Sequence, residues 1–191
     1  KWQRSGAAFS VGELLYYMIT ESDNTATEML MKHVGIDYLK SKFRDLDLLY
    51  TNINHGGFNL SGRPVVDENY TTAREMGSLL ERIYTGALVD KDSSRSMLEL
   101  LKNQRHRARL AKTLPVGWQI AHKTGLLRQA CHDASIIFSP EGDYVLVVLT
   151  WKKMSYRQAK QYIAKVGKVT YKYYGADANN LASLQTGTNR L

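Results

Sequence analysis

The chain of 191 residues has one cysteine, three prolines and no long apolar run. Each shortage excludes something. A lone thiol, Cys131, can form neither an internal disulfide nor a multi-cysteine zinc site. Without about eighteen consecutive apolar residues, no segment can cross a membrane as a helix. His33, His55, His106 and His122 show no metal-ligand spacing, so neither a metal nor another cofactor is expected. The first residues, Lys1-Trp2-Gln3-Arg4, include no initiator methionine and no signal peptide. The N-terminus therefore reads as a cut.

What is present suits a folded protein. A hydrophobic fraction of 43% and a charged fraction of 23% are near the averages for globular domains and supply a real core. The formal charge of +8 attracts polyanions non-specifically. Because the lysines and arginines are scattered, a solvated basic surface is the plainer reading. No nucleic-acid-binding motif occurs, so no specific nucleic-acid partner is expected.

Hydrophobic periodicity predicts helices over 11–20, 25–33, 36–46 and 72–84, and one capped by Asp92 or Ser93. Ser10 with Glu13, and Thr72 with Glu75, have the spacing of capping boxes. Tyr38, Leu39 and Phe43 are expected to face inward. Residues 49–69 lose all periodicity, and a loop of that length is often functional. After Pro115 the period becomes that of strands: 118–123, 130–138 and 144–151, with a turn at 140–143. Such short connections imply an antiparallel meander. A last helix, 156–174, should cover it with Ala159, Tyr162, Ile163 and Val166, and Gly175 should end it. The fold class is α+β: a helical subdomain (10–115), a sheet with its covering helix (116–175) and a flexible tail (176–191).

Two tripeptides carry the chemistry. Ser22-Asp23-Asn24 falls between helices and Lys123-Thr124-Gly125 at the end of a strand. Alone, the first is a good capping turn and the second an exposed strand end. Either arises by chance in roughly 3–4% of chains this long, but both in roughly one in several hundred. Their order and context therefore decide the reading. His132-Asp133 lies on adjacent strand positions that point to opposite faces, and reads as a surface pair rather than part of a triad.

S-D-N and K-T-G, with S-x-x-K, are the motifs of class A β-lactamases and penicillin-binding proteins. The stretches LLYYMITESDNTATEMLMKHVG, YTTAREMGSLL and LPVGWQIAHKTG resemble that family, and the resemblance covers about residues 10–175. It implies a serine acyl-hydrolase acting on β-lactams or cell-wall-type peptide amides, outside the cytoplasm. It gives Ser22 a proton relay toward the leaving nitrogen and Lys123 a positive potential beside it. Asn24 would position substrate, Thr124 would bind its carboxylate, and Gly125 would let it approach the strand. Leu126 would offer one oxyanion N–H, Asp23 would hold the turn, and Arg109 would assist the carboxylate.

Two departures qualify the resemblance. No serine here has lysine three residues later. The nucleophile, its helix and two strands are therefore expected in a missing N-terminal segment, leaving the meander with an open edge and an uncovered face. The family's deacylating glutamate also has no counterpart in Gly56-Gly57-Phe58-Asn59-Leu60, while Asp67 and Glu68 come too late. That pattern implies a long-lived acyl-enzyme. The alternatives are an inactive relative that binds or scaffolds, and a basic nucleic-acid or membrane-surface binder.

Overall fold

A computed structural model describes residues 6–54, 69–127, 130–151 and 155–187, the last of these beyond 175 by its backbone only. The elements, in order, are α1 (Val11–Thr20), α2 (Asn24–Val34), α3 (Ile36–Asp45), α4 (Ala73–Thr85), α5 (Lys91–Lys102), a 3-10 turn (Leu110–Thr113), β1 (Gln119–Leu126), β2 (Ala130–Phe138), β3 (Tyr144–Trp151) and α6 (Tyr156–Gly187). The strands form one antiparallel sheet in the order β1-β2-β3. The α+β class and the meander are as the sequence implies. The loop tested by Gly56–Leu60, Asp67 and Glu68 lies outside the described residues.

Alternation along the strands divides the sheet into two faces. Ala121, Ile136, Val145 and Val147 pack with Leu80, Ile83 and Leu101 of α4 and α5. Ile120, Cys131, Ile137, Leu146 and Val148 pack with Leu110, Ala159, Ile163 and Tyr171 on the other side. Both faces thus carry a helical layer, which corrects the expected bare face: α4 and α5 reach back over the sheet. The open edge remains, since β3 pairs only with β2 among the described residues. Gly167 lets α6 approach the 3-10 turn closely; a Cβ there would lie 3.1 Å from a Leu110 methyl. A third cluster, Leu14, Ala26 and Leu30, joins α1 to α2.

Caps set most boundaries. Ser10 and Glu13 form the reciprocal capping box, and Gly35 and left-handed Gly86 terminate α2 and α4. Other expectations are corrected. Asp90, not Asp92 or Ser93, caps α5 by accepting from the Ser93 N–H. Thr72 caps α4, but the buried Glu75 side chain turns away from it, accepting from the Tyr50 N–H and Thr51 Oγ1, each at 2.6 Å. Tyr38 and Tyr162 are exposed, and Ala164 and Tyr171 take the inner positions expected of Tyr162. The helix does not stop at Gly175 but continues to Gly187, because a glycine inside a helix costs only about 1 kcal/mol and helix-compatible residues follow.

Candidate active site

The site begins at the end of α1. Thr20 is fully buried and returns its hydroxyl to the Tyr16 carbonyl, and Asp23 caps α2 by accepting from the Ala26 N–H at 2.8 Å. Between them Ser22 has φ of 56°, the left-handed region. For a non-glycine residue this costs of order 1–3 kcal/mol unless its surroundings hold it. The Asp23 N–H donates to the Tyr17 carbonyl. From the far side Gln104 donates to the Ile19 carbonyl at 2.6 Å, the Arg105 N–H donates to the Thr20 carbonyl, and Arg105 pairs with Glu21. The turn is therefore clamped by residues more than eighty positions away.

Strand β1 supplies the other half. Lys123 and Gly125 share the α4/α5 face with their cross-strand partners Ala134 and His132, whereas His122 and Thr124 point to the α6 face. Lys123 Nζ donates to Ser22 Oγ at 2.6 Å and to the Thr124 carbonyl at 2.7 Å. Burial and the nearby Arg109 cation lower the Lys123 pKa to about 8, and Asp133 partly opposes them. The ammonium is thus charged at neutral pH but within reach of deprotonation. A hydroxyl oxygen that accepts from an ammonium keeps its own hydrogen free to donate, which is the local chemistry of a proton relay.

Arg109 lies just before the 3-10 turn and is 4% exposed. Its Nε donates to Cys131 Sγ at 3.2 Å and a terminal nitrogen donates to the Gly125 carbonyl at 3.3 Å. Beneath the strand, His122 Nδ1 and Asp133 Oδ1 are 2.9 Å apart, both side chains fully buried. Asp133 also accepts from the Leu110 N–H. The pair His132-Asp133 points to opposite faces, but it is not a surface pair. Asp133 is buried, since an inner carboxylate on β2 finds His122 and a backbone N–H as partners. His132 is half-buried and accepts from the Thr150 N–H.

A cleft of about 770 Å³ brings these parts together. Ser22, Asn24, Arg109, Lys123, Thr124, Gly125 and Leu126 all line it. Asp23 does not; it serves the cap. The sequence did not single out Arg105, His106, Arg107 or Lys160 as cleft residues, nor the His122–Asp133 pair. For the pair a signal existed: two polar residues lie within otherwise apolar strands. Among the described residues no group of His, Cys, Asp or Glu is arranged to hold a metal ion, and no helix is long and apolar enough to cross a membrane.

Helices followed by a three-stranded antiparallel meander and a covering C-terminal helix make the β-lactamase fold, in the class of serine β-lactamases and penicillin-binding proteins. The chain belongs to the beta-lactamase enzyme family, whose model matches residues 1–174. A beta-lactamase from Sphaerobacter thermophilus superposes with a TM-score of 0.83 at 25% identity, over 92% of this chain and 67% of that one. PBP-A matches with the same TM-score at 26% identity, over 92% of this chain and 65% of that one. A variant of PBP-A forms an acyl-enzyme complex with penicillin G. An ancestral class A beta-lactamase, 24% identical, has a TM-score of 0.79 over 88% of this chain and 67% of its own and bears on the fold alone. The chain spans about two-thirds of the length of these structures.

Proposed function

We propose that these residues form the proton-relay and carboxylate-binding half of a serine acyl-transfer site for β-lactams or cell-wall-type peptide amides. The observation that carries this reading is the 2.6 Å contact of Lys123 Nζ with Ser22 Oγ, across 101 residues of sequence. Ser22 passes a proton to the leaving nitrogen while Lys123 holds its oxygen and supplies positive potential. Thr124 and Arg109 receive the substrate carboxylate, Asn24 positions the amide, Gly125 admits it to the strand edge, and the Leu126 N–H is one oxyanion donor. Asp23 is structural.

The nucleophile comes from sequence outside these 191 residues, which contain no Ser-x-x-Lys. The acyl-enzyme is long-lived, because Gly56–Leu60 contain no acid to activate a deacylating water. The protein works outside the cytoplasm, as β-lactams and wall peptides require. The same absence of Ser-x-x-Lys favours a second reading, an inactive relative that uses the cleft only to bind.

Labelling by a fluorescent penicillin separates the two. A protein carrying these residues with a Ser-x-x-Lys segment should be acylated, and Ser22→Ala or Lys123→Ala should slow acylation about 100-fold or more. An unchanged rate in both variants would remove the relay. The 191 residues alone should form no covalent adduct, and a labelled chain would show that the nucleophile lies within them.

A further inference from the structure

The cleft is more cationic than a single carboxylate requires. Arg105, Arg107, Arg109, Lys123 and Lys160 line it, and among the described residues no aspartate or glutamate does. Glu21 neutralises Arg105. Arg109 and Lys123 are committed to the strand, to Ser22 and, on the reading above, to one substrate carboxylate. Arg107 and Lys160 are not: among the described residues neither has an acidic partner. Arg107 is exposed and Lys160 half-buried. They arrive from different elements, the segment before the 3-10 turn and the second turn of α6, yet face one cavity.

Like charges gathered in a concave surface repel one another and focus a positive potential of several kT. A monoanion leaves most of that potential unanswered. We infer that the acyl donor taken by this cleft carries a second carboxylate, held by Arg107 and Lys160, besides the one at Lys123, Thr124 and Arg109. The inference rests on the acyl-donor reading and names its substrate class: a dicarboxylate peptide amide or β-lactam. A volume of about 770 Å³ is in the range of sites that enclose whole ligands of that size.

Benzylpenicillin and carbenicillin differ by one carboxylate on the acyl side chain and serve as the probe pair. Titrating each into the isotopically labelled 191-residue chain at low ionic strength, followed by amide shifts, gives two dissociation constants. Carbenicillin should bind about three- to tenfold tighter, as two partly desolvated ion pairs allow. Salt should reduce the preference. In Arg107→Gln/Lys160→Gln the ratio should fall to about one. In Arg107→Lys/Lys160→Arg it should survive. Lys165→Gln/Lys172→Gln removes equal charge from exposed positions of α6 outside the cleft, and must leave the ratio intact.

Equal affinities in the unmodified chain would overturn the inference while leaving the acyl-donor reading standing. So would a ratio that survives the glutamine pair or collapses equally in the distal control. Absence of any shift at Lys123, Thr124 and Gly125 with either compound would overturn both.

Discussion

Gly125 faces His132 across β1 and β2, and a Cβ built on it would come no closer than 3.4 Å to the imidazole. That is ordinary contact, so packing within the chain does not require glycine there. Gly125→Ala should therefore change stability by no more than about 0.5 kcal/mol. It should nevertheless weaken benzylpenicillin binding, because the methyl occupies the approach to the strand edge. Thermal denaturation beside the shift titration distinguishes the two effects. A large stability loss would return Gly125 to a structural role.

Lys123 predicts opposite pH trends for folding and for binding. Its folded pKa is about 8, against about 10.4 for an unfolded lysine. Between those values the unfolded chain holds the extra proton, so this group's contribution to stability increases as pH rises through the window. Carboxylate binding falls over the same window as the ammonium loses its charge. Differences between the unmodified chain and Lys123→Met, taken from pH 7 to 11, isolate both trends from other titrating groups.

Ser22 reverses a usual preference. At φ of 56° a residue with a Cβ is strained by roughly 1–2 kcal/mol. Ser22→Gly should be more stable than Ser22→Ala by about 1 kcal/mol in urea denaturation, although neither retains the hydroxyl. If alanine proves the more stable, the turn is not held in the left-handed region.

Asp133 anchors His122 and the start of the 3-10 turn. Asp133→Ala would leave a fully buried imidazole and the Leu110 N–H without their acceptor. A loss of about 3 kcal/mol or more is expected, and a fall in Tm of roughly 10 °C. A near-neutral result would mean that water reaches this layer.

Local rules made much of the fold legible. Capping pairs and glycines set most helix boundaries, and turn residues between them bounded β2 and β3, the near-continuous apolar run of β3 matching a sheet covered on each face. What escaped depended on distant partners. Glu75 had the spacing of a capping box, yet its buried carboxylate serves Tyr50 and Thr51. Tyr162 lay near the apolar stripe of α6, but Tyr171 fills the space against Trp118, their rings 5.8 Å apart. The two tripeptides marked the cleft because their order is informative in one dimension. Arg107, Lys160 and the His122–Asp133 pair carried no such mark, since only folding brings α6 and the segment after α5 to the strand.

The clamp on the Ser22 turn has an evolutionary consequence. Gln104 is 2% exposed and touches no cleft residue's reacting atom; it donates to the Ile19 carbonyl and accepts from the His106 N–H. Changes there would alter the aim of a hydroxyl without altering any group that meets a ligand. Variation in ligand preference among relatives can therefore originate in a helix-to-loop junction that a survey of contact residues would pass over.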